Sequence, residues 1–148
     1  MDLLRLQPIA DHLDKVSCPA LTFVGTAADL AAVKSARAAA SCAAFVVLLG
    51  ANGLEVQQGS GPLRQTLDVS IGVVLRMALA GAEGAAGLKK LEEPAAQVRA
   101  RLFGWLHPDA ERKFAIGAES LEDFDPANRL VLYRIDFVTR VRLLEPLR

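Results

Sequence analysis

The strongest constraint in this chain is an alternation. From Leu67 to Met77 every odd position is apolar: Leu67, Val69, Ile71, Val73, Leu75 and Met77. The even positions around them are Arg64, Thr66, Asp68, Ser70, Gly72, Val74 and Arg76. Successive side chains of a strand point to opposite faces, so the pattern predicts one long strand with an apolar and a polar face. The C-terminal segment repeats it, with Tyr133, Ile135, Phe137, Val141 and Leu143 alternating with Arg134, Asp136, Arg140 and Arg142. Both runs exceed the usual strand of about 5–6 residues. Apolar faces of that length must be covered.

The rest of the chain supplies helices for the purpose. Leu3, Leu6, Ile9, Ala10, Leu13 and Val16 recur at helical spacing, and with Pro8 tolerated only in a first turn they predict a helix from about Gln7 to the stop at Cys18-Pro19. Leu21–Val24 is a short β-prone run closed by Gly25, and Thr26 is placed to cap a helix from Ala27 to about Ala36, with Asp29 near its positive end. Val46–Leu49 predicts a strand. Residues 50–63 contain four glycines and Pro62 and predict a loop. Two readings of it stand: a flexible interaction arm carrying Leu54, Glu55, Gln57 and Gln58, or an ordinary long hairpin connection. Leu88, Leu91, Ala95, Val98 and Leu102 mark a helix over about 85–103, kinked or restarted near Glu92 because of Pro94 and stopped at Gly104. A strand is expected over about Lys113–Glu122, then a turn at Asp125-Pro126-Ala127-Asn128. The order α-β-α-β-β-α-β-β over 148 residues predicts a single α+β domain, residues 1–148: a mainly antiparallel sheet with two long strands and helices packed on one face.

Composition removes several function classes. Apolar types are 52% of the chain and mean hydropathy is +0.28, so it is not a disordered polyelectrolyte. Lys+Arg and Asp+Glu are 17 each, so a strongly basic nucleic-acid binder is not the starting expectation. Cys18 and Cys42 lack CxxC spacing and read as small buried thiols. The N-terminus has no basic region leading into an apolar core, so no signal peptide is expected. The charge-free stretch Ala38–Leu54 contains Ser41, Gly50, Asn52 and Gly53 and suits a buried strand better than a membrane span, so a soluble protein is expected.

No catalytic, metal or cofactor motif emerges. His12 and His107 make no familiar ligand spacing with the cysteines. His12, between Asp11 and Asp14, reads as a solvated surface histidine, and Arg99 and Arg101 as solvated helix residues. His107-Pro108-Asp109 reads as a turn, with Trp105 packing on the core. Glu122, Asp123 and Asp125 lack the spacing of a calcium loop and read as solvated charge.

Charge on the polar faces of the two long strands remains. Arg64, Asp68, Arg76, Arg134, Asp136, Arg140 and Arg142 give five positive and two negative residues. Such a face either lines a channel or meets a neighbouring subunit, or it is an ordinary solvated sheet face. Residues 129–148 carry five arginines and two acids, and residues 109–125 carry six acids and two bases. That segregation is compatible with complementary surfaces meeting head to tail around a ring.

Taken together, several segments resemble a known family. They are Val24-Gly25, Ala27-Ala28-Asp29-Leu30, the apolar strand Ala44–Leu48, the Gly-rich loop, Gln65–Val74, and the final strand with Tyr133, Phe137 and Thr139. The most telling is Leu102-Phe103-Gly104-Trp105 with Pro108 just beyond. This pattern resembles the tail terminator proteins of long-tailed bacteriophages and related tail-like particles, over nearly the whole chain. Pro8 and Pro94, inside expected helices, depart from it. The resemblance implies an α+β subunit that forms a hexameric ring, caps the head-proximal end of the tail tube, ends its polymerisation and joins the tail to the neck. The implied partners are further copies of the chain, the tail tube protein, a neck or head-completion protein, and DNA passing through the lumen without sequence-specific contacts, with no membrane. The implied location is the virion, after assembly in the host cytoplasm. The resemblance implies no enzyme activity and no cofactor. The alternatives are another head–tail connector or tail-completion protein, and a small-ligand-binding α+β domain, which would need a concave pocket with convergent polar groups.

Overall fold

The computed structural model describes residues 3–14, 16–35, 42–78, 89–125 and 130–146. In chain order they form α1 (Gln7–His12), β1 (Phe23–Thr26), α2 (Leu30–Ser35), β2 (Cys42–Gln57), β3 (Arg64–Ala78), α3 (Glu92–Leu102), β4 (Ala115–Asp125) and β5 (Leu130–Leu144). The strands make one five-stranded sheet in the order β1-β2-β3-β5-β4. Only the β1–β2 pair is parallel; the other pairs are antiparallel. The fold is mixed, mostly sheet, and consistent with α+β.

The two alternating segments are the two long strands. β3 and β5 pair along their whole lengths, from Arg64 opposite Leu144 to Ala78 opposite Leu130. The odd residues of both strands lie on one face, where Val69, Ile71, Val73, Leu75, Ile135 and Phe137 are fully buried. α1 covers that face with Ile9 and Ala10, joined by Leu13 just after its end, and α3 with Ala95, Val98 and Leu102.

The opposite face is not bare, which corrects the expectation of helices on one side only. α2 inserts Val33 against Ala43, Phe45, Val47, Val74 and Leu132. The reason is in β2, whose first six residues, Cys42–Val47, are all buried. A strand apolar on both faces needs cover on both.

The predicted loop at 50–63 is also corrected. β2 continues to Gln57, paired with β3 as far as Gln57 opposite Arg64, so only the six residues 58–63 connect the strands. Register shifts between Leu48 and Gly50 and between Gly53 and Val56 absorb the irregular sequence. From Leu48 to Gln57 the strand is largely exposed, so the hairpin runs beyond the helical cover. The reciprocal bonds Leu63 N–H to Glu145 Oε2 (3.0 Å) and Glu145 N–H to the Leu63 carbonyl (2.8 Å) tie its far end to the exit of β5.

Helix boundaries differ from expectation for local reasons. α1 stops at His12, because Asp14 Oδ1 accepts the Ser17 N–H at 2.7 Å and closes a turn instead, leaving Val16 exposed. Thr26 does not cap α2; it pairs with Val46 in β1, and Asp29 Oδ1 accepts the Ala32 N–H at 2.8 Å. α3 begins at Glu92 with Pro94 in its first turn, a restart rather than a kink. Gly104 follows the helix end with φ +79°, a left-handed conformation that glycine adopts without strain. β4 starts at Ala115, two residues later than expected, and ends at Asp125, three residues later. The ends expected at Ala36, over 85–88 and at the 126–128 turn lie outside the described residues.

Candidate functional site

Leu102–Pro108 turns out to be a structural junction. Leu102 is fully buried, Gly104 reverses the chain, and Trp105 lands between two rings. Its indole stacks on His12 at 4.1 Å and tilts against Phe114 at 5.6 Å. His12 is thus a packing residue and not a freely solvated one; burial, then the nearby Arg101, lowers its pKa.

His107 is fully buried and links two segments far apart in sequence. Its Nδ1 accepts the Asp109 N–H at 2.9 Å, so the neutral ring places its proton on Nε2, which lies 2.7 Å from the Arg5 carbonyl. The Arg5 guanidinium returns to the Asp109 carboxylate through two bonds of 2.9 Å. Those bonds hold the Asp109 carboxyl down at about 2. Sequence reading found the turn but not this clamp, because its partners are more than 100 residues apart.

Arg99 and Arg101 are likewise engaged, contrary to the solvated reading. Arg99 Nε binds both Glu119 oxygens at 2.9 and 3.0 Å, which lowers the Glu119 pKa, and Arg101 Nε donates to the His12 carbonyl at 2.8 Å. These contacts fasten α3 to β4 and to the end of α1.

The seven charged residues singled out on the long strands do share one sheet face, but their charge is largely neutralised. Asp68 and Arg140 are directly opposite in the ladder and bond at 2.9 Å. Arg134 pairs with Glu122 at 3.4 Å and with Asp136, where Nε and Oδ1 lie 2.8 Å apart without hydrogen-bond alignment and Nη2 bonds Oδ2 at 3.3 Å. Arg142 reaches Glu111 at 2.6 Å. Arg64 sits exposed at the far end of β3, while Arg76 lies at the other end, opposite Leu132 and Ala43 near α2. Glu122 and Asp123, expected to be solvated, are paired too, Asp123 with Lys34 at 2.7 Å.

The acidic and basic segments therefore meet within one subunit, because β4 and β5 are neighbours. This corrects the picture of two separated, complementary surfaces. Sequence reading gave no role to Glu111 and Glu119 and took Glu122 as solvated; their pairing partners become visible only with the strand order.

Leu54, Glu55 and Gln57 stand in the exposed half of β2, and Gln58 in the turn. The Leu54 carbonyl accepts Gln65 Nε2 at 3.0 Å. Around them are exposed apolar side chains, Val56, Leu63 and Leu144. Both cysteines are buried, and burial pushes the Cys42 thiol up to about 11. Among the described residues no group of His, Cys, Asp and Glu is arranged to hold a metal ion.

The sequence matches the phage tail terminator protein family over residues 1–145. The chain belongs to that family. Membership makes it a structural protein of the bacteriophage tail and places it in the virion. No curated protein matches it. Among solved structures it is similar to a chain from the virion of a native gene transfer agent particle, at 18% identity and a TM-score of 0.46, covering 92% of this chain and 91% of that one. A likeness of that size adds nothing to the family assignment. Among the described residues no helix is long and apolar enough to cross a membrane.

Proposed function

We propose that this protein, as one tail-terminator-like domain, forms a ring of six subunits on the head-proximal end of the tail tube. The ring ends polymerisation of the tube, offers its outer surface to a neck or head-completion protein, and lets DNA pass through its lumen. The observation that carries this reading is the family match over 145 of 148 residues. The exposed β2–β3 hairpin supports it, since the segment lies beyond the chain's own helical cover. The balanced charge of the long-strand face suits DNA passage rather than DNA capture, because sequence-independent DNA affinity grows with the number of phosphates neutralised.

The test combines mass in solution with electron microscopy of tail tubes given the purified protein. Rings by mass, or rings seated on one tube end with growth halted, are the expected result. A strictly monomeric chain that never decorates tube ends refutes the reading.

A further inference from the structure

Among the described residues the sheet has two open edges, and they differ. At one end is β4, eleven residues long, in which 115–119 are each exposed. Its first four residues, Ala-Ile-Gly-Ala, carry no charge or proline of the kind that usually blunts a strand edge. At the other end β1 pairs with β2 only as far as Val46. Among the described residues nothing pairs with the outer side of β2 from Leu48 to Gln57, a stretch about as long as β4.

We infer that β4 of one subunit adds to the open stretch of β2 in the next copy, joining the sheets around the ring; the inference rests on the ring reading above. Strand directions support it. β2 is antiparallel to β3, β3 to β5, and β5 to β4, so β4 and β2 run in opposite senses. Side-by-side sheets would then meet as an antiparallel pair, the commoner ladder. Both edges also carry backbone irregularities, which the joint must accommodate. β2 shifts register at Leu48/Gly50 and Gly53/Val56, β4 at Ile116/Ala118 and Leu121/Asp123.

Charge favours an unlike partner. An antiparallel β4–β4 pair centred on Glu122 would gather Glu119, Glu122 and Asp123 of both copies along one seam, beside the Arg99, Arg134 and Lys34 that already pair with them. The open stretch of β2 carries only Glu55. The contact is therefore between unlike edges, and head-to-tail contacts of that type close into rings when the rotation permits. Main-chain bonds supply the attraction, as in other strand-addition interfaces.

The experiment mixes single-cysteine variants in pairs, one on β2 (Ala51→Cys or Glu55→Cys) and one on β4 (Ala115→Cys, Ala118→Cys or Leu121→Cys). The native thiols are buried. Assembled protein is oxidised and covalent dimers are counted on a denaturing gel, with mass measured in parallel. The expected result is a β2–β4 dimer at least tenfold above either variant alone. Ala51→Cys should link further towards the C-terminus of β4 than Glu55→Cys does. Rings without β2–β4 links, or links between two β4 strands, overturn the inference and leave the ring reading standing. A chain that stays monomeric even with tail tubes overturns both.

Discussion

Replacing His107 tests the clamp that holds the N-terminal segment to the post-helix turn. His107→Phe keeps an aromatic ring near Trp105 and Phe114 but removes both ring nitrogens. The Asp109 N–H and the Arg5 carbonyl then lose the partners they hold at 2.9 and 2.7 Å. A buried group left without its hydrogen bond costs about 1–3 kcal/mol, so the pair implies a loss of about 2–6 kcal/mol. That is a large share of the roughly 5–15 kcal/mol that stabilises a typical domain. At about 2–4 °C per kcal/mol for a chain of this size, the melting midpoint should fall by about 4–24 °C. Urea unfolding followed by the single tryptophan, Trp105, measures it, since that indole stacks on His12 and lies 5.5 Å from His107. Phe is slightly larger than His, and overpacking alone can cost about 1–3 kcal/mol. His107→Leu therefore serves as a companion, and a loss shared by both variants belongs to the missing hydrogen bonds. Amide exchange should rise at residues 3–13 in both. A loss below about 0.5 kcal/mol in either variant, with unchanged exchange there, would refute the reasoning, since surface substitutions stay within that range.

Three other predictions concern the turn, acid and the hairpin. Gly104→Ala forces a β-carbon into φ +79° with open space around it, so only backbone strain of about 1 kcal/mol should appear in thermal melts, without local repacking in spectra. Acid should destabilise the fold in two stages. His12, Glu119 and Asp109 all have folded pKa values below their ordinary 6.5, 4.5 and 3.8, so each binds protons more readily when unfolded. Their stabilisation is complete above those ordinary values; the His12 share fades as pH drops below about 6.5 and the carboxylate share below about 4.5, with Asp109 still losing its part near pH 2. A urea midpoint higher at pH 4 than at pH 7 would contradict that sign. Limited proteolysis of free protein should nick the 58–63 turn and spare residues 50–57, whereas assembled protein should resist at both; cleavage within 50–57 of the free chain would argue against the paired hairpin.

The long strands were legible because period-two patterning is strict where one face is buried and the other is not. Thirteen paired positions between β2 and β3 show where that signal fades. Gly50, Asn52 and Gly53 read as loop, yet they pair with Ser70, Asp68 and Leu67. The partner strand supplies the order that local propensity withholds. The cover on the second face was not legible: the charge-free stretch Ala38–Leu54 pointed to a buried strand, but neither it nor Val33 gave a sign that α2 would cover the other face. Ion pairs were the least legible part. Asp68 with Arg140 spans 72 residues, and Arg142 finds Glu111 because the segment before β4 runs against β5, with the Glu111 N–H on the Arg140 carbonyl.

The overhang of β2 and β3 beyond the helices has a mechanical side. Fifteen residues of β3 at about 3.4 Å each make a rod of about 50 Å, of which only the two thirds from Val69 onward are gripped by α1 and α3. The remaining third is a cantilever about 15–20 Å long, clamped along the sheet and loaded at its end. A rocking of about 5° at the clamp would carry the tip through about 1.5 Å, half the width of a hydrogen bond. Small reorientations of the subunit body are thereby geared up at the hairpin tip, so whatever contacts the tip registers a tilt that the core itself barely expresses.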